Sequence, residues 1–184
     1  PFGSPENLRA RANHIHDELV YANASAYYAM NNLWDRQSHE VHFKNRGIDF
    51  FSESSHIALV DQKTSEVHIS GIGFAIGHFA RWITPGSLRI DAVSGNKLVK
   101  VTAFRSDRQN ELTLVVINNS NFEAEMDFSM ENMALQGTVK GEYSDRSNRW
   151  KQLPPLTASD NASFRLTVGP TSVTSLSATL VNPD

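Results

Sequence analysis

"GFAIGHFARWITPGSLRIDA", residues 73–92, decides how the chain is read. Ile72, Ile76, Phe79 and Ile83 recur at helical spacing, with Ala75 and Ala80 beside them. Gly71, Gly73 and Gly77 would each weaken an isolated helix by roughly 1 kcal/mol relative to Ala, so their presence predicts a close-packed neighbour. Thr84-Pro85-Gly86 is expected to end the helix, because Pro cannot continue the hydrogen-bond ladder and Gly frees the backbone. From Ser87 the period becomes two: Leu88, Ile90 and Ala92 alternate with Arg89 and Asp91. The stretch therefore predicts a helix that turns directly into a strand.

Downstream the two-residue period persists. "SLRIDAVS", "LVKVTAFRS", "ELTLVVINNS", "AEMDFSM", "TVKGEYSD" and "ASFRLTVGPTSVTSLSATL" all read as strands. Clusters of Asn, Asp, Gly and Ser separate them at the spacing of an antiparallel sandwich. Leu112, Leu114 and Val116 on one face, with Val115 and Ile117 on the other, predict a central strand. Gly169-Pro170 is expected to break the last run in two.

Upstream the signals are different. Ser4, Pro5 and Glu6 form a helix start, and Leu8, Ala12, Ile15 and Leu19 make one apolar stripe, with Asn23 as a C-terminal stop. Residues 24–30 are small, aromatic and apolar without polar alternation, which predicts a short strand buried on both faces, as in a parallel sheet. Residues 35–56 are polar and irregular, and "HIALVDQKTSEVHIS" reads as a short strand, a turn around residues 62–65, and a second short stretch. A strand buried on both faces needs neighbouring strands. The expectation is the end of an α/β fold in residues 1–86, followed by an all-β antiparallel sandwich in residues 87–184.

Composition narrows the function classes. The chain has 184 residues, 40% of them hydrophobic, and a net charge of −3 with scattered Lys and Arg, so no basic stripe points to nucleic acid. No apolar run reaches the ~18 residues of a membrane helix. The absence of cysteine excludes disulfides, thiolate metal sites and a Cys nucleophile. A first residue of Pro, with no signal pattern behind it, is expected of a processed product or a piece of a longer chain. Asn-x-Ser sequons at Asn23, Asn118 and Asn161 are candidate glycosylation sites and weight the reading toward secretion.

Other constellations are read as structural. His14 and His16 are two apart on a helix and diverge, so they cannot chelate one ion. His39, His42, His56 and His68 are loosely spaced in polar surroundings, and no metal or cofactor is assigned. "GIGFAIG" has a nucleotide loop's glycine spacing without its context, and no Gly-x-Ser-x-Gly elbow occurs. His78 is expected to make structural bonds between the two parts of the chain, and Arg81 and Arg89 to pair with carboxylates or carbonyls across their junction.

Gly77-His78-Phe79, Arg81, Pro85-Gly86 and Arg89-Ile90 resemble the "YALGHFSRFIRPG…RI" stretch of family 30 of the retaining glycoside hydrolases. There it is the last helix of a (β/α)8 barrel, passing into a β-sandwich on the barrel's side. "IHDELVYANASAYYAMN" is similar to that family's penultimate helix and eighth barrel strand, and "LTLVVINNS" to a strand and turn of its side sandwich. The resemblance implies that residues 1–86 are the last elements of a (β/α)8 TIM barrel. It also implies hydrolysis of a β-glycosidic bond by two Glu carboxylates about 5 Å apart. Both belong to earlier barrel strands, so no catalytic residue is assigned here, and Glu6, Glu18, Glu40, Glu53 and Glu66 are not in the matching context.

What the resemblance leaves to this chain is substrate contact at the C-terminal end of the eighth strand. Tyr28, Asn31 and Trp34 are the candidates, since sugar rings stack on aromatic faces and Asn bonds hydroxyls. Many xylan-acting members have Trp where this chain has Met30 or Asn31, so xylan, β-1,6-glucan and β-1,6-galactan all stay open. The expected partners are a β-linked polysaccharide or oligosaccharide and the remainder of the barrel, with no nucleic acid and no membrane. The alternative reading is a non-catalytic carbohydrate-binding β-sandwich using Trp150. A third gives residues 87–184 a bracing role alone.

Overall fold

The computed structural model describes residues 5–29, 33–38, 41, 45, 56–106, 108, 110–158 and 162–181, in two compact units, residues 1–77 and 78–184.

In the first unit, helix α1 spans Pro5–Val20. Its stripe is buried as the periodicity predicts: Leu8 and Ala12 are fully enclosed and Ile15 nearly so. Asn23 follows at φ 52°, a left-handed conformation that Asn tolerates. Residues 24–29, expected to be a strand buried on both faces, form none, and Tyr28 is 90% exposed. The physical reason lies in the ladder: an extended segment gains its stability from a paired neighbour, and among the described residues no strand pairs with it. The strands that do form are β1 (Leu33–Asp35), β2 (Ala58–Asp61) and β3 (Glu66–Ile69), in the order β1-β2-β3. β1 runs parallel to β2, with Trp34 opposite Leu59, and β2 and β3 form an antiparallel hairpin.

Helix α2 spans Gly71–Ala80 and ends sooner than Pro85 requires. Trp82 and Ile83 both donate their amides to Phe79 O, and Ser87 N donates to Thr84 O across a turn with Gly86 at φ 91°. Pro85-Gly86 therefore shapes the turn into the next strand, and the helix is already closed by the Phe79 carbonyl in its last turn. The close neighbour expected of the helix glycines is present at Gly73, where a Cβ would lie 2.4 Å from Ile57 O and 2.7 Å from Ile69 Cγ2.

The second unit is an antiparallel sandwich. Its larger sheet holds β4 (Leu88–Ile90), β5 (Val99–Ser106), β6 (Glu111–Asn118), β8 (Leu135–Ser144), β10 (Leu156–Thr157) and β12 (Ser172–Leu180). Their order is β10-β8-β12-β6-β5-β4, and β9 (Lys151–Gln152) pairs with β8. The smaller sheet is β7 (Ala124–Ser129) on β11 (Ser163–Val168), packed in register from Ala124↔Val168 to Ser129↔Ser163. Leu112, Leu114, Val116, Leu176, Ala178 and Leu180 meet Phe164, Leu166 and Val168 in the core. β6 is central, between β12 and β5, and buried on both faces, as its doubly apolar pattern predicts. β9 and β10 carry no readable period, because two residues are too few to show one.

Candidate functional site

Two polar assemblies stand out, one in each unit. In the first, Trp34 sits on β1 with its ring edge-on to His56, centroids 4.4 Å apart, and remains 38% exposed. The chain immediately after it is fixed by Asp61, at the C-terminal end of β2. Asp61 accepts from Arg36 Nη1 at 3.1 Å and from Gln37 Nε2 at 2.7 Å. It also accepts the Lys63 and Thr64 amides at 2.9 and 3.3 Å, so one carboxylate caps the β2–β3 turn and holds the segment after β1. The Gln37 amide, the Lys63 N–H and the Arg36 charge hold its pKa below the usual carboxylate value. Asp35 is likewise lowered, chiefly by Ser38, whose amide it caps at 2.7 Å. A general acid needs a raised pKa. These two carboxylates are held in the opposite direction, and their role is to position the strand ends that carry Trp34.

Tyr28 is exposed, while Tyr27 is half-buried, with its hydroxyl bonded by Arg11 and its ring edge-on to His14. No contact among the described residues joins Tyr28 to Trp34, and Asn31, like Met30, His39, Glu40 and His42, lies outside the described residues. His14 and His16 diverge, toward Tyr27 and Tyr21. His68 lies beside Arg36 and Glu66. Of the sequons, Asn23 is exposed and Asn161 lies outside the described residues. Asn118 is fully buried, and its Nδ2 donates to the carbonyls of Phe122, Val168 and Gly169 at 2.9–3.2 Å.

The second assembly is buried in the sandwich unit. His78 is fully enclosed, with Nδ1 2.8 Å from Ser175 Oγ and Nε2 2.8 Å from Ser144 Oγ. Proton counting fixes the tautomer. Ser175 donates its one hydroxyl proton to His78 O at 2.7 Å, so it must accept from Nδ1–H. Ser144 accepts the Trp150 amide at 2.9 Å and is left to donate to Nε2. Every group is satisfied with His78 neutral, and burial, assisted by the nearby Arg81 charge, pushes its pKa down to about 3. Beside it the fully buried Glu142 accepts from Arg81 at 2.9 Å, Trp82 Nε1 at 2.8 Å and Gln152 at 3.1 Å. The Arg81 guanidinium lies 4.4 Å above the Trp150 ring. Arg81 thus pairs with a carboxylate, both residues lying within the second unit. An alternating strand shows a polar residue without saying which face it takes, so Glu142, Ser144 and Ser175 are not legible as partners of Arg81 and His78. Trp150, proposed for sugar stacking, has one ring face covered by Arg81.

The second unit thus defines an all-β class of domain, an antiparallel sandwich with a buried polar lock. No protein-family model matches the chain. The protein named glucuronoxylanase XynC of Bacillus subtilis (strain 168) is 33% identical over 81 residues, 44% of this chain and 19% of that protein. Solved structures share the fold at low identity. The GH30 endoxylanase from Clostridium papyrosolvens C71 superposes with a TM-score of 0.72 at 19% identity, covering 97% of this chain and 39% of that one. The family 30 subfamily 8 xylanase Xyn30A from Clostridium acetobutylicum gives 0.73 at 19% identity, over 97% and 40%. The catalytic domain of GH30 xylanase C from Talaromyces cellulolyticus gives 0.75 at 20%, over 95% and 35%. The resemblance to family 30 glycoside hydrolases is thereby shown, and the chain spans two fifths or less of the length of the relatives it matches.

Proposed function

We propose that the chain is the C-terminal portion of a retaining β-glycoside hydrolase acting on a β-linked polysaccharide. Residues 1–86 supply the last elements of a (β/α)8 barrel and part of the cleft wall, and residues 87–184 a bracing sandwich. Neither catalytic Glu belongs to it, and the rest of the barrel is its partner. Xylan stands first among the substrates because the similar proteins are named xylanases, with β-1,6-glucan and β-1,6-galactan behind it. Secretion fits a polymeric substrate too large to enter a cell. The observation that carries the reading is the fold match over nearly all of this chain but two fifths of its neighbours. The parallel β1–β2 pair, with Trp34 exposed near its C-terminal end, supports a barrel fragment.

Purified chain incubated with glucuronoxylan, β-1,6-glucan and β-1,6-galactan is expected to release no reducing ends. Turnover would refute the assignment of both carboxylates to the rest of the barrel. Affinity electrophoresis on the same glycans separates the binding-module alternative. Retention abolished by Trp150→Ala but not by Trp34→Ala would favour that alternative.

A further inference from the structure

Of the three Asn-x-Ser sequons, Asn161 lies outside the described residues, and the fold separates the other two. An N-linked sugar joins the side-chain nitrogen of the asparagine, so that atom must reach solvent. At Asn118 it does not. The residue is fully buried, and its Nδ2 already donates to the carbonyls of Phe122, Val168 and Gly169. Ser120, whose hydroxyl completes the sequon, donates to Phe122 O at 2.6 Å. An oligosaccharide on that nitrogen would break these bonds and force a bulky polar group into a buried position. The Asn118 nitrogen is spent on structure.

At Asn23 the opposite holds. Asn23 and Ser25 are both exposed, in the turn that follows helix α1. The backbone fixes that turn. Ala22 N donates to Asp17 O at 3.2 Å and Ala24 N to Glu18 O at 2.9 Å, with Asn23 between them at φ 52°. Two residues before Asn23 stands Tyr21, 74% exposed. A single exposed tyrosine needs no explanation. This one is oriented: its amide donates to Asp17 O at 2.9 Å, and its ring stands at 84° to that of the buried His16, centroids 5.8 Å apart. A ring so placed and so exposed offers an apolar face of fixed direction beside the acceptor asparagine. The C–H face of a pyranose lies well on such a face, because the ring's negative quadrupole meets weakly positive hydrogens. The other sequons lack this neighbour: two residues before Asn118 is Val116, and two before Asn161 is Ser159.

We propose that Asn23, and not Asn118, is an N-glycosylation site, and that Tyr21 is the shelf on which its first sugar lies. The acceptor is Asn23 Nδ2. It attacks the anomeric carbon of an N-acetylglucosamine whose oligosaccharide is carried on a lipid diphosphate. The C–N bond forms, the C–O bond to the phosphate breaks, the lipid diphosphate leaves, and Nδ2 releases one proton to the transferase. The stacked sugar covers the exposed tyrosine and holds the turn after α1. This rests on the secretion in the proposed function, and not on which polysaccharide is cut.

The test is expression of the whole 184-residue chain through a eukaryotic secretory host, in an Asn161→Gln background so that its mass reports on Asn23 and Asn118 alone. The folded product carries one oligosaccharide, on the peptide that contains Asn23, and Ser25→Ala removes it. After an endoglycosidase trims the glycan to its first sugar, the acetyl methyl proton signal lies upfield of its free-sugar position. Amides 21, 22 and 24 then exchange about two- to tenfold more slowly than in Ser25→Ala. Tyr21→Ala abolishes both the shift and the slowing, and Tyr21→Phe keeps them, with β6 and β12 protection unaltered as the check on folding. An unmodified Asn23, an oligosaccharide on Asn118 of the folded protein, or a methyl shift that survives Tyr21→Ala would each overturn the proposal. No polysaccharide substrate enters the readout, so its failure leaves the hydrolase reading standing.

Discussion

The two units carry comparable residues and use them differently. In residues 78–184 nearly every strand finds a neighbour, the core is continuous, and even the charged and polar residues at its base are spent on one another. In residues 1–77 the described elements include helix α1, most of helix α2 and three strands of three or four residues, and Tyr21, Tyr28, Leu33 and Val67 are each at least 60% exposed. Sheets of three short strands hold little apolar area, and stability follows the area removed from water. The difference teaches that the second unit is organised by the core its own strands enclose, while the described strands of the first are too short to enclose one of that size.

The largest expected contrast is between two buried leucines. Leu176→Ala in the sandwich core should cost about 2–5 kcal/mol of global stability, read from urea denaturation. Leu59→Ala, equally buried on β2, should leave the main transition in place and shift only probes in residues 5–69. Equal shifts in the main transition would merge the units into one cooperative body.

Acid should act on the sandwich through His78. Between its folded value of about 3 and the ordinary 6.5, the unfolded chain binds the proton and the folded chain does not. Stability therefore falls as pH drops through that window, by about 1.4 kcal/mol per pH unit at most, and this group contributes no slope above it. His78→Phe should lower stability at pH 7, by leaving the buried Ser144 hydroxyl proton without its acceptor, and remove that slope. A slope that persists unchanged above about pH 5, where a carboxylate lowered from 3.8 such as Asp145 contributes none, would contradict the assignment to His78.

Gly141→Ala should cost about 1–3 kcal/mol, because the added Cβ would lie 2.7 Å from the Ser175 carbonyl in the same sheet. Gly95→Ala, with nothing within 4 Å, is its neutral control. Smallest is Arg165→Ala, which breaks an exposed pair with Asp127 and should leave the urea midpoint nearly unchanged.

Legibility followed the same division. β7 and β11 could be read because each has one face in the core, so burial is written as alternation, and β6 because both of its faces are apolar and buried. Helix α1 could be read from Pro5 and its stripe. Residues 24–29 could not: their apolar run records a strand's preferences, but pairing is a property of the neighbours. Trp34 stands out in the sequence as an aromatic beyond that run, whereas the Asp61 hub that fixes the chain after it does not, since Arg36 and Asp61 are 25 residues apart. The His78 lock was half legible. The histidine announced itself on an apolar helix face, but its serine partners lie 66 and 97 residues away.

Native-state hydrogen exchange on the 184-residue chain tests most directly the proposal that residues 78–184 are self-sufficient and residues 1–77 a fragment of a larger barrel. The account predicts that amides of β6 and β12 exchange at the rate of global unfolding while those of β1 and β2 exchange at least a hundredfold faster. Protection of β1 and β2 equal to that of β6 and β12 would contradict it.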